Sequence, residues 1–356
     1  MVLIPATEGN KMIVIGIDPH KASVTAAALS SANATLGHRR LATTAKTGSH
    51  LISWAAEWPD RLWAVEGAAG LGHGVAQQLV AAGERVVDVP AKLAARARLL
   101  GSGSARKTDL TDAVSVASVA IHNPKLSVVE AEDHTVVLRL LSDRRDDVVS
   151  QRTRTMNRLQ VLLRNLEPGG APRQLSTTAA AAFLARVRPL TAADQQRKSI
   201  ARDLLDDLRR ADRQLAAMGK TIATEVAGSG TTLPEIHGVG SILAAKIIGH
   251  AGLVTRFESK SHFASYTGTA PVEASSGDIR RHRLNRAGNR QLNTALHTAA
   301  VVQARDAGPG REHFERKIAE LKTPKEAQRS LKRQLSNVVY RHLLDDHQRH
   351  HQQPAS

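Results

Sequence analysis

The sequence predicts an α/β N-terminal domain, a central α-helical arm and a mainly α C-terminal domain. Three observations carry this. Short apolar runs alternate with helix-like stretches through the first third of the chain, the pattern of a sheet with helices packed on it. Two long charged stretches, 131–166 and 192–227, contain no proline. A glycine-bearing turn, Leu233 to Ser241, opens an apolar helix after them. The expected boundaries are 12–125, 131–227 and 230–345, with a disordered tail over 346–356.

Residues 1–11 read as a loose leader without the charged-then-apolar layout of a signal peptide. Met12 to Ile17 and Val24 to Leu29 read as two strands of a hairpin, with Asp18 at the exit of the first. Leu62 to Val65 is the next strand, closed by Glu66. An acid at the end of a buried strand is costly unless paired or metal-bound, although a turn-forming Asp is equally common there. Gly67, Gly70, Gly72 and Gly74 form a loop whose spacing fits neither dinucleotide nor Walker patterns, so no nucleotide role is expected. A helix over His73–Ala82 follows, then a strand at Arg85–Val89 and a basic helix over Ala91–Leu100. After the loop GSGSARK, with Arg106 and Lys107, a helix starts with Asp109 and Asp112 one turn apart, running to about Ala120. Taken alone, those two acids suit a solvated helix start. Taken with Asp18 and Glu66 they make four hard oxygen ligands at strand ends and a helix start, a set that suits Mg²⁺ or Mn²⁺. Two such ions can clamp the attacking and leaving oxygens of a phosphodiester.

In 192–227, Ile200, Leu204, Leu208, Ala211, Leu215, Met218 and Ile222 follow heptad spacing, which predicts a helical hairpin or coiled coil. The earlier stretch repeats this with Leu141, Val148, Met156, Leu159, Leu163 and Leu166, until the Pro168–Pro172 segment breaks it. Its arginines, from Arg144 to Arg164, suit a solvated face or a nucleic-acid face equally. The pair is expected to be an oligomerisation arm. LPEIHGVGS matches a helix-hairpin-helix turn, in which backbone N–H groups around Gly238 and Gly240 would meet a phosphate. Further on, Arg280, Arg281, Arg283, Arg286 and Arg290 crowd around Ser275 and Ser276. Guanidinium groups could bind a scissile phosphate beside a serine nucleophile, but on these residues alone a Ser-Gly turn in a DNA-binding loop explains the pattern better.

Composition points the same way. Lys plus Arg number 49 against 33 Asp plus Glu, a formal charge of +16, which suits a polyanion, most simply nucleic acid. Aromatics make up only 3% of the chain, which favours phosphate contacts over a stacking platform. There is no cysteine, which excludes disulfides and thiolate metal sites and fits a reducing cytoplasm. No apolar run is long enough to span a bilayer, and no membrane partner is expected.

The ordered set GIDPHK, AVEG, KTDLTD, LPEIHGVG, YTGTAP and SSGDIRRHRLNRAGNRQLN resembles a family of bacterial insertion-sequence transposases, over nearly the whole chain. These have a four-acid (DEDD) domain of RuvC/RNase H-like fold and a C-terminal transposase domain with a serine. The resemblance implies a DNA recombinase, associated with the nucleoid, that excises and inserts its element. A structured bridge RNA from the element would guide it to donor and target DNA. Asp18, Glu66, Asp109 and Asp112 would hold the metal. Ser276, directly before the glycine of the Ser-Gly motif, would be the nucleophile, with Ser275 its neighbour and competitor. Homodimers would pair into tetramers with composite sites. The competing expectation is a metal-dependent, structure-specific DNA endonuclease that uses water and no covalent intermediate.

Overall fold

The structure, a computed structural model, describes residues 12–101, 108–169, 175–273, 282–283, 285 and 287–352. The chain divides into two compact units, 1–132 and 133–356.

The first unit is built on a six-stranded mixed sheet in the order β3-β2-β1-β4-β5-β6. Its strands are β1 (Ile13–Pro19), β2 (Ser23–Leu29), β3 (Thr35–Ala42), β4 (Arg61–Glu66), β5 (Val86–Val89) and β6 (Ser127–Val128). β1 to β3 run antiparallel, and β1, β4 and β5 are parallel. The helices are α1 (Thr47–Trp54), α2 (His73–Ala81), α3 (Ala91–Gly101) and α4 (Asp109–His122). Side chains alternate across a strand. Ile15, Ile17, Trp63 and Val65 therefore pack with Leu51, Ala76 and Leu79 on one face. Val14, Leu62 and Ala64 pack with Ala94, Ala113 and Ala117 on the other.

Gly16 belongs to that second face. A Cβ there would lie 2.1 Å from the Ala113 carbonyl oxygen and 2.5 Å from the Ala117 nitrogen. Only glycine lets the backbone of α4 press this closely onto β1. β3 escapes the expected pattern because it is an edge strand with almost every residue exposed or half-exposed, so no apolar alternation marks it.

The second unit is mainly helical. Its elements are α5 (His134–Leu166), α6 (Thr177–Arg186), α7 (Ala192–Gly228), α8 (Ser241–Ala251), α9 (Lys260–Tyr266), β7 (Val272–Glu273), β8 (His282–Arg283), α10 (Arg290–Arg305), α11 (Pro309–Ala319) and α12 (Pro324–Gln352). α5 and α7 form an antiparallel hairpin. Leu159 and Leu163 meet Ala201, Leu205 and Leu208 at one end. Leu138 joins Ile222 and Val226 in the core of α8, α10 and α12 at the other.

The expected seam of α7 is shifted at its start. Ile200 is 41% exposed, and Ala201 and Leu205 are buried instead, before the expected Leu208 is buried in its turn. The cause is α6, whose Phe183 and Leu184 join this end of the hairpin, so the buried stripe must serve two partners. The expected tail also needs correction, because α12 continues through Gln352. Buried Asp346 holds it: its carboxylate accepts bonds from Thr231 Oγ1 at 2.7 Å and Thr232 Oγ1 at 2.7 Å, and pairs with Arg349. Residues 353–356 lie outside the described residues. Among the described residues, no helix is long and apolar enough to cross a membrane.

Candidate active site

Asp18 shares a face of β1 with Gly16, two residues on, so its carboxylate is carried on the side that α4 covers. α4 starts at a fixed place. Thr108 caps it by accepting from the Thr111 N–H at 3.2 Å, while Thr111 Oγ1 accepts from the Thr108 N–H at 3.0 Å. This reciprocal cap sets Asp109 and Asp112 in the first turn, where the helix dipole favours negative charge. Asp18 and Asp112 are both buried, at 6% and 7% exposure. Burying a carboxylate is costly without compensating charge, so the immediate neighbours matter.

Those neighbours are two guanidinium groups and an imidazole. His20 Nε2 stands 3.3 Å from Asp18 Oδ2 and 3.3 Å from Asp109 Oδ1. Arg40, from β3, reaches Asp109 at 3.4 Å, and Arg98, from α3, pairs with Asp112. The ligand atoms of Asp18, His20 and Asp109 all lie within 4.8 Å of one another. Two carboxylates and an imidazole converging at this spacing fit a divalent cation.

Glu66 is the last residue of β4. It lies one step beyond the Ile17–Val65 pair of the parallel ladder, as Asp18 does on β1, and it faces the same side as Leu62 and Ala64. The glycine loop fixes its backbone. Gly67, at φ +58°, donates its N–H to Val89 O at 3.0 Å, and the Ala68 N–H donates to Asp88 Oδ1 at 2.7 Å. A Cβ on Gly72 would strike Val65 and the Glu66 carbonyl at 2.6 and 2.7 Å. Gly72 is therefore required by close packing against the acid's backbone, and Gly67 by its positive φ.

Sequence reasoning missed His20, Arg40, Arg98 and Asp88. His20 had a faint signal, since it follows Asp18 in the hairpin turn, where its N–H donates to Ser23 O at 2.7 Å. Arg40 and Arg98 had none, because their partners are distant in sequence and one of them lies on the unmarked edge strand. Of the other expected residues, Arg106, Lys107, Ser275, Ser276, Arg280, Arg281 and Arg286 lie outside the described residues. Gly238, Gly240, Arg283 and Arg290 belong to the second unit. Gly238 has φ +81°, and a Cβ there would lie 3.0 Å from Ala299 O. Gly240 is the N-cap of α8, while Arg283 and Arg290 are exposed.

Two family models match this chain. Residues 15–168 match a DEDD transposase domain, and residues 230–315 match the transposase IS116/IS110/IS902 family. Together they span more than half of the chain. The chain belongs to the IS116/IS110/IS902 transposase family. An uncharacterized 42 kDa protein of insertion element IS900 from Mycobacterium paratuberculosis is 26% identical to this transposase, with 84% of this chain and 86% of that one covered. An uncharacterized 43.6 kDa protein of insertion element IS110 from Streptomyces coelicolor is 27% identical, with 74% and 77% covered. Among solved structures, T. thermophilus RuvC in complex with a Holliday junction substrate matches 31% of this chain and 94% of its own, at 18% identity and a TM-score of 0.26. Asp18, Glu66, Asp109 and Asp112 all fall inside the segment that matches the DEDD domain.

Proposed function

We propose that this transposase excises and inserts its element at sites chosen by a structured RNA from the element itself, pairing with donor and target DNA. The observation that carries the catalytic part is the convergence of Asp18 and Asp109, from a strand and a distant helix, on one point beside His20. Asp18, Glu66, Asp109 and Asp112 would hold Mg²⁺ or Mn²⁺, with His20 within reach of the same position. When bound, such an ion supplies positive charge to the phosphate under attack. Ser276 would provide the nucleophile: its Oγ–P bond forms as a deoxyribose–oxygen–P bond breaks, leaving the DNA joined to the protein through a phosphoserine. The hydroxyl proton passes through solvent to the departing oxygen. Arg106, Lys107, Arg280, Arg281, Arg283, Arg286 and Arg290 would hold strand phosphates, and the Gly238–Gly240 turn would offer its N–H groups to another. The α5–α7 hairpin would join homodimers into a homotetramer, so that acids and serine from different protomers complete each site.

Denaturing electrophoresis of the protein incubated with a DNA copy of the element's ends and Mg²⁺ tests this. A covalent protein–DNA adduct is expected, lost in Ser276→Ala and kept in Ser275→Ala. Metal-dependent cleavage that leaves no adduct in any variant would instead mean that water is the nucleophile. Sequencing nucleic acid that copurifies with the protein tests the guide: one discrete RNA matching DNA beside the coding region is expected, and random fragments would refute it.

A further inference from the structure

The second unit contains a cationic cleft of which only Arg290 enters the reading above. It has two lobes, of about 540 and 400 Å³, which share Gly268, Asn285 and Asn293. Arg290 at the start of α10, and Lys325, Arg329 and Lys332 on α12, line it. No Asp or Glu is among the described residues lining either lobe.

Lys332 is the fixed cation of the cleft. Its Nζ donates to Asn293 Oδ1 at 2.9 Å, and Asn293 in turn donates through Nδ2 to Thr267 O at 2.8 Å. The amide is thereby locked with its oxygen toward the ammonium. An ammonium has three protons to donate, and among the described residues Asn293 receives only one of them. Burial, and then the charge of Arg329, push Lys332 below the ordinary lysine range. Cations gathered in a concavity are stabilised by an anion entering it; the acid beside them, Glu326 at 4.0 Å from Arg329, is not part of the lining. The cleft also has an apolar part, formed by Phe314 on α11 together with Val301 and Pro324. Val301 is 46% exposed, although it is a large apolar side chain.

An anionic group attached to a flat ring suits this combination. We propose that the cleft holds one unpaired nucleotide of a nucleic-acid strand, with its phosphate among Arg290, Arg329 and Lys332 and its base against Phe314. The proposal rests on the nucleic-acid reading above and adds a single-strand contact to it. The low aromatic content of the chain excludes an extended stacking platform but allows one such pocket.

The test is fluorescence anisotropy of the full chain in EDTA, so that cleavage cannot intervene. The probes are labelled single-stranded DNA and RNA of one sequence, about 12 nucleotides long, and the matching DNA duplex, titrated from about 50 to about 300 mM NaCl. Lys332→Gln is expected to weaken single-strand binding about fivefold and to reduce the salt slope by about 0.7, with Lys332→Arg restoring both. Phe314→Ala is expected to weaken it about tenfold at an unchanged slope, with Phe314→Trp restoring affinity. Duplex binding should change less than twofold in each. The tighter of the two single strands identifies the source of the nucleotide. If Lys332→Gln and Phe314→Ala bind single strands as the parent does, the cleft proposal falls while the recombinase reading stands. If the parent protein binds none of the probes, both fall.

Discussion

Gly16 of β1 and Ala113 of α4 touch backbone to backbone, with the Ala113 carbonyl oxygen only 2.1 Å from where a Gly16 side chain would begin. That contact sets the height of α4 over the sheet, and with it the distance from Asp18 to Asp109. Gly16→Ala should therefore lift the helix. The expected cost is about 1–3 kcal/mol of stability, the usual range for overpacking, together with a weakened response to divalent metal. Urea unfolding of the variant, with and without Mn²⁺, measures both.

Asp18→Asn and Asp109→Asn remove one carboxylate each from the cluster. Strand cleavage should fall by about 100-fold or more in either if, as proposed, their charge holds an ion against the phosphate. Melting temperature should hold or fall slightly in Asp109→Asn, since the residue is partly exposed and loses only a surface pairing with Arg40 and its place in the first turn of α4. Retained cleavage in both variants would remove the acids from the mechanism.

His20→Ala should cost about tenfold in Mn²⁺ affinity, the scale on which one supporting contact at a metal site acts. Electron paramagnetic resonance of free Mn²⁺ gives the affinity directly. Unchanged affinity would mean that the imidazole only balances charge between Asp18 and Asp109.

A different pair of contacts holds α5 to α8. Lys246, 9% exposed at its side chain, donates to Asp146 at 2.5 Å, and His250 Nε2 lies 3.0 Å from Asp143. Among the described residues, Asp146→Ala would leave the buried ammonium with only Gln291, at 3.3 Å. Because Asp146 is itself 31% exposed, the expected loss is about 2–3 kcal/mol, below the range for a wholly buried pair. The double variant Lys246→Met, Asp146→Leu should recover most of it in chemical denaturation.

His250 also gives the second unit a pH response. Burial pushes its pKa below the ordinary histidine value, and the nearby Asp143 only partly offsets this. The folded state therefore binds the proton less readily than the unfolded chain. Its contribution to stability is complete above about pH 6.5 and is lost as pH falls through the lower folded value. Melting temperature should drop between about pH 7.5 and 5.5, and His250→Gln should flatten the curve.

The strands that carry the acids were legible in the sequence because their apolar runs end abruptly at Asp18 and Glu66. The start of α4 was legible from two acids a turn apart. β3 was not, since an exposed edge strand needs no apolar pattern, and Arg40 was lost with it. α6 was missed because ten mostly small residues between two long helices leave little periodicity, and that omission misplaced the buried stripe at the start of α7. The tail was misread for a similar reason: HQRHHQ, residues 347–352, has no apolar stripe, and what orders it is Asp346 reaching back to Thr231 and Thr232, a contact across more than a hundred residues.

Arg98 on Asp112 and Arg40 on Asp109 mean that two of the acids fold with counterions already in place, while His20 stands between Asp18 and Asp109. The domain can then fold without waiting for a divalent ion. An incoming ion must trade places with side chains rather than rescue a strained fold, which makes readiness to cut a matter of exchange, separable from the integrity of the protein.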